Sequence, residues 1–120
     1  MTPAVRVLIV DDEPAFLRVV SAAIRTLGCE PVTAEDAETA LELLERIRPD
    51  LVLTDVRLPG IDGLALARNI KSDRELASMP VLLMSGYGRP VSHAGDGFLA
   101  KPFHVDELAA FIGPYVARPS

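Results

Sequence analysis

Four apolar runs of this chain each end on residues able to do chemistry: VRVLIV on Asp11, Asp12 and Glu13, LVLT on Asp55, VLLM on Ser85, and GFLA on Lys101 and Pro102. Carboxylates brought within several ångströms of one another repel by on the order of a few kcal/mol per pair at a moderate effective dielectric. A gathering of Asp11, Asp12 and Asp55 therefore calls for a counter-charge. Hard oxygen ligands that leave positions for water and phosphate oxygens suit Mg²⁺, and a lysine with a hydroxyl supplies donors for an anion. The set has the parts for phosphoryl transfer: a carboxylate nucleophile, a bridging metal and donors for equatorial oxygens. Each residue also has a plainer reading. Asp11 or Asp12 could cap a helix, Ser85 could be a turn residue, and Lys101 a solvated surface lysine. Asp55 is not needed as a cap, because Asp62 and Gly63 already supply the start of the next helix.

The alternation of short apolar runs with helical periodicity brings these residues together. Val5 to Val10 reads as a strand covered on both faces. Phe16, Val20, Ala23, Ile24 and Leu27 then mark a helix, with Pro14 in its first turn and Gly28 as its stop. A short strand over Cys29 to Thr33 precedes a second helix with Ala37, Ala40, Leu41, Leu44 and Ile47 on its apolar stripe, Asp36 as its cap and Pro49 beyond its end. The strand Leu51 to Asp55 leads to a helix from about Leu64 to Lys71, capped by Asp62, and a fourth strand runs from after Pro80 to Ser85. Gly86, Gly88, Pro90, Gly95 and Gly97 argue against a full helix in the next segment, so Tyr87 to Gly95 reads as a loop with at most one helical turn, and Gly86 to Gly97 is expected to be mobile. A fifth strand over Gly97 to Ala100 and a helix over Val105 to Ile112, facing inward through Leu108, Phe111 and Ile112 and stopped by Gly113 and Pro114, complete the pattern.

Such alternation predicts an α/β fold with right-handed crossovers, a doubly wound parallel sheet and helices on both faces. In that arrangement the residues just past each strand share one edge, whatever their separation in sequence. The 120 residues suit one domain, with Ala117 to Ser120 as a frayed tail or cut linker. Apolar residues at 49% and charged ones at 24% match an ordinary globular protein, and no apolar run is long enough to span a bilayer. The N-terminus fits neither a signal nor a transit peptide, which leads us to expect a cytoplasmic protein. Twelve basic against seventeen acidic residues, a net charge of −5, and the lack of a Lys/Arg track argue against direct nucleic-acid binding. The single cysteine, Cys29, reads as a small buried hydrophobe, and neither His93 nor His104 has the partner spacing of a metal site.

The VDDEP pair of acids, the TDVRLPGIDG segment, the hydroxyl residue in MSG and the KPF segment together resemble the receiver domain of two-component response regulators, over nearly the whole chain. The resemblance implies a five-stranded parallel sheet in the order 2-1-3-4-5. It implies that Asp55 accepts a phosphoryl group from a histidine kinase or phosphotransferase, that Asp12, Asp55 and the Arg57 backbone carbonyl ligate Mg²⁺, and that Asp11 supports the metal through water. Ser85 and Lys101 would bind phosphoryl oxygens, a cis bond would precede Pro102, and Phe98 would be the switch aromatic that turns inward as Ser85 moves. Arg57 and Tyr87 would flank the path of an attacking water and tune the phosphoryl lifetime, while docking would use the first helix near Arg18 and the loop after Lys101. Here the chain departs from the pattern, because Ser85 to Lys101 is roughly one to two helical turns shorter than in a typical receiver. The fourth helix is expected to be shortened or absent, which puts the usual output face and dimer in question and leaves a monomer or weak dimer. Two readings result: a phosphorylation-dependent signalling module with an unknown downstream partner, or a receiver-like interaction module independent of phosphorylation. A phosphatase with an aspartate nucleophile is weaker, because Arg57 stands where such enzymes need a second acid.

Overall fold

The computed structural model describes residues 4–88, 90 and 94–116. Its elements run β1 (Arg6–Val10), α1 (Pro14–Thr26), β2 (Glu30–Ala34), α2 (Ala37–Ile47), β3 (Leu51–Asp55), α3 (Gly63–Ser72), β4 (Val81–Ser85), β5 (Gly97–Ala100) and α4 (Val105–Val116). All neighbouring strands pair in parallel, in the order β2-β1-β3-β4-β5. This is the expected doubly wound sheet.

Side chains alternate across the strands, so each central strand feeds two cores. Val7, Ile9, Leu51, Leu53, Leu82 and Met84 face α1 and α4, where Leu17, Val20, Ile24, Leu108 and Ile112 meet them. Leu8, Val10, Val52, Val81 and Leu83 face α2 and α3, against Ala40, Leu44, Leu66 and Ile70. Every residue of β3 and β4 is buried, which is why these strands read as apolar runs rather than as alternating ones. The helix starts follow from local chemistry: the Asp36 carboxylate accepts from the Thr39 amide at 2.7 Å, and Asp62 from Ala65 at 2.8 Å.

Several expectations are corrected in detail. Leu27 lies at the C-cap of α1 and is 39% exposed, because the chain leaves the helix there through Gly28 at φ +80°. The last helix does not stop at Gly113 but continues to Val116 with Pro114 inside it. An interior proline forfeits a helical hydrogen bond and crowds the preceding turn, and the packing of Tyr115 and Val116 against the first core offsets that loss. Strands β1 and β2 each begin one residue later than their apolar patterns suggest. Cys29 is buried, as expected for a small hydrophobe. His104 is exposed, and its backbone amide donates to the Glu107 carboxylate at the entry to α4, while His93 and the 117–120 tail lie outside the described residues.

Among the described residues, no helix separates β4 from β5. The end of the connecting segment lies directly on the sheet instead. A Cβ at Gly95 would come within 3.0 Å of the Leu83 side chain and 3.1 Å of the Val81 carbonyl, so glycine serves close approach there. Next to it, the Asp96 carboxylate accepts from the Val81 amide at 2.7 Å and pairs with Lys71 of α3 at 2.8 Å. Lys71 also donates to the Met79 carbonyl at 2.8 Å, so one ion pair ties α3, the approach to β4 and the entry to β5. Asp96→Ala leaves the Val81 N–H and the Lys71 ammonium short of an acceptor and should cost about 1–3 kcal/mol. Urea unfolding should show this as a lower midpoint at unchanged slope, and an unchanged midpoint would remove the clasp from the account.

Candidate functional site

The C-terminal ends of β1, β3, β4 and β5 deliver Asp11, Asp55, Ser85 and Lys101 to one edge of the sheet. Asp11 is fully buried, Asp55 is 9% exposed and Ser85 1%, whereas Asp12 is open to solvent. Lys101 Nζ lies 2.6 Å from Asp11 Oδ2 and 3.2 Å from Asp55 Oδ2. The Lys101–Pro102 peptide is cis, in agreement with the resemblance. Asp11 also accepts from the Glu13 amide through Oδ1 at 2.9 Å, which turns the chain into α1 without using either Asp11 or Asp12 as the helix cap.

Asp55 is set from below by its own loop. The Thr54 hydroxyl donates to the Asp55 carbonyl at 3.0 Å, and the Arg57 amide donates to Asp55 Oδ1 at 3.3 Å. Gly63, the first residue of α3, donates its amide to the Val56 carbonyl at 2.8 Å, and a Cβ on it would overlap the Asp55 carbonyl. The glycine of IDG is therefore a requirement of close backbone approach beneath Asp55.

Burial pushes the Asp55 carboxyl above the ordinary value of 3.8, the nearby Asp11 charge adds to that, and Lys101 opposes it without prevailing. Burial likewise works against the charged form of Lys101, but hydrogen bonding and charge from Asp11, and then from Asp55, outweigh it and raise its pKa. Both partners thus shift upward, for different reasons. Asp36, at its cap, is lowered by the backbone bond from Thr39.

Asp11, Asp12 and Asp55 offer ligand oxygens that all lie within 4.8 Å of one another. One side of this cluster is dry and the other wet, and all the donors are hard oxygens. That fits a divalent cation that retains water, as Mg²⁺ does. The open side is a cleft of about 360 Å³ lined by Asp12, Glu13, Asp55, Arg57, Leu58, Pro59 and Tyr87. Over it the Arg57 guanidinium stacks on the Tyr87 ring, 4.1 Å from its centroid, in a cation–π contact. Sequence placed these two residues at the entrance but gave no sign of contact between them. The Ser85 hydroxyl accepts from the Tyr87 amide at 3.0 Å.

Residues 7–113 match the family model described as the response regulator receiver domain. The chain belongs to that family. Among relatives of this receiver is the DNA-binding dual master transcriptional regulator RpaA of Synechocystis, 30% identical over 94% of this chain. This chain spans about half the length of that regulator, 49%. A response regulator from Chloroflexus aurantiacus J-10-fl superimposes with a TM-score of 0.89 at 29% identity, covering 97% of this chain and all of the other. The receiver domain of the sensor histidine kinase PA1611 from Pseudomonas aeruginosa PAO1, with a magnesium ion coordinated in its active-site cleft, gives 0.85 at 27% identity, covering 95% and 98% of the two chains. Receiver domains bind Mg²⁺ at an acidic pocket, and this receiver has the acidic pocket.

Phe98 stands opposite Leu83 in the β4–β5 register, partly buried on the face that carries α2 and α3. Phe16, an aromatic the sequence did not single out for the site, lies under Lys101, and Phe103 of the KPF segment packs against Phe16. The available signal was their place one turn beyond the acid pair and two residues beyond the lysine.

A carboxyl whose folded pKa is raised favours the fold below its unfolded pKa and loses that contribution as pH rises through the folded value. Ionising Asp55 thus opposes folding. Asp55→Asn in metal-free buffer should raise the urea midpoint at pH 7, and the gain should shrink as pH falls and the native carboxyl takes up its proton. A variant less stable than the native protein at pH 7 would contradict this.

Proposed function

We propose that this receiver is a phosphorylation-dependent signalling module in which Asp55 accepts a phosphoryl group from a phosphohistidine of a histidine kinase or phosphotransferase. The observation that supports it most is the placement of Lys101 Nζ between Asp11 and the candidate nucleophile, 3.2 Å from Asp55 Oδ2. In the step, an Asp55 carboxylate oxygen attacks phosphorus, the P–N bond to the donor imidazole breaks, and the imidazole nitrogen keeps the electron pair and takes a proton. Lys101 turns from the carboxylates to a phosphoryl oxygen, and the Ser85 hydroxyl, freed from the Tyr87 amide, donates to another. Asp12, Asp55 and the Arg57 carbonyl would hold Mg²⁺, with Asp11 behind a water. The ion would supply positive charge shared between the carboxylates and the phosphoryl oxygens.

Hydrolysis of the acyl phosphate needs water in line with the P–O bond to Asp55. Arg57 and Tyr87 stack over that approach and slow it. The docking face for the phosphodonor is α1 around Arg18, which is exposed, with the loop after Lys101. Phe98 serves as the switch aromatic, responding to the movement of Ser85 and altering the surface that a downstream partner reads. The work is cytoplasmic, since it couples to a kinase, and the receiver acts as a monomer or weak dimer. The segment between β4 and β5, which has no helix among its described residues, favours a second reading, an interaction module indifferent to phosphorylation.

Mass spectrometry after incubation with acetyl phosphate and Mg²⁺ separates the two. The native protein should gain one phosphoryl adduct, which does not form without Mg²⁺ and is absent from Asp55→Asn. On removal of the donor, Tyr87→Ala should lose its adduct severalfold faster than the native protein, in line with an exposed cation–π contact of about 0.5–1 kcal/mol. If no donor yields an adduct and Asp55→Asn retains activity in cells, the second reading replaces the first.

A further inference from the structure

An ammonium carries three N–H donors on a flexible four-carbon stem and, unlike a guanidinium, is not oriented by its own shape. Two directions around Lys101 Nζ are taken by Asp11 Oδ2 at 2.6 Å and Asp55 Oδ2 at 3.2 Å. In a third direction lies the ring of Phe16, its centroid 4.0 Å from Nζ. The lysine side chain is only 17% exposed, so this contact is largely withdrawn from water, where cation–π attraction is stronger than at open surfaces.

Phe16 is itself held on two sides. It stands in the first turn of α1, whose entry is fixed by the Glu13 amide bonded to Asp11. Its ring meets Phe103 edge-on, with centroids 5.9 Å apart and planes at 77°. Phe103 follows Lys101 by two residues, so the ring that receives the ammonium is braced by the segment that delivers it. Phe16 is only partly buried, while Leu17, Val20 and Ile24 supply the buried contacts of α1. Filling the core would not require an aromatic there.

We infer that Phe16 is a positioning residue for Lys101, its ring face holding the ammonium over the acidic site in readiness for phosphoryl oxygens. The choice of an aromatic has a chemical reason. A third carboxylate in that direction would compete with phosphoryl oxygens for the ammonium's N–H donors, whereas a ring face attracts the cation without adding another full negative charge. The inference rests on Asp55 as the phosphoryl acceptor, and its test includes a readout independent of that reading.

The experiment compares the native protein with Phe16→Leu and Phe16→Tyr, each also in a Lys101→Met background, following the rate of adduct formation with acetyl phosphate and Mg²⁺. Phe16→Leu should slow the reaction by roughly three- to ten-fold, the factor expected from a partly desolvated cation–π contact. Phe16→Tyr, which keeps the ring, should restore the rate. In the Lys101→Met background the leucine should add no further slowing. A native rate in Phe16→Leu, or equal slowing with and without Lys101, would overturn the proposal. NMR of the unphosphorylated protein gives the second readout: upfield ring-current shifts of the Lys101 ε-methylene protons, lost in Phe16→Leu and kept in Phe16→Tyr. If the native protein takes no adduct, the acceptor reading fails while these shifts still test the positioning; their absence from the native spectrum would overturn it.

Discussion

Lys101 Nζ shares its charge between Asp11, buried at the end of β1, and Asp55, nearly buried at the end of β3, and with Asp12 nearby the site keeps more carboxylates than cations. Burying charges this close is costly unless they are paired and hydrogen-bonded. The single ammonium offsets part of that cost and leaves the rest, which is why Asp55 is harder to ionise than an ordinary aspartate. On the proposed reading, a site left short of positive charge is primed for a divalent cation and, with it, for a phosphoryl group. The surrounding structure keeps the imbalance from relaxing.

Three features prevent relaxation. Parallel pairing of β1, β3, β4 and β5 fixes the strand ends at one edge, with both faces of the sheet buried in separate cores. The backbone of α3 abuts the Asp55 carbonyl so closely that only glycine fits at position 63. Asp11 both binds the lysine and turns the chain into α1, so the helix that presents Phe16 is tied to the residue that draws in Lys101. Local turn chemistry and site electrostatics are thus parts of one arrangement.

Much of this could be read from residue types alone. The apolar runs before Asp11, Asp55 and Ser85 specify strands buried on both faces, and with parallel topology that places their ends together. The caps Asp36 and Asp62 were equally plain, since each bonds within its own helix turn. What escaped depends on contacts distant in sequence. Glycines at 95 and 97 read as breakers, but Gly95 is needed for contact with Leu83, and a Cβ at Gly97 would crowd Leu82 and Phe111. Pro114 suggested a helix end because the apolar seat of Tyr115 and Val116 is made by other elements. Phe16 looked like one more member of a helical stripe, because no periodicity reports that a lysine from the far end of the chain arrives above its ring.

Among the described residues no helix separates β4 from β5, while Asp11, Asp12 and Asp55 still cluster at the ends of β1 and β3. The account accordingly stands or falls on the acidic edge. Its most direct test is a crystal structure with Mg²⁺ and beryllofluoride, a stable mimic of a phosphoryl group. The account predicts beryllium bonded to an Asp55 carboxylate oxygen, Lys101 Nζ moved onto a fluoride, and the metal between Asp12 and Asp55. Beryllofluoride bound through another carboxylate, or Lys101 left on Asp11 and Asp55 with the adduct in place, would contradict it.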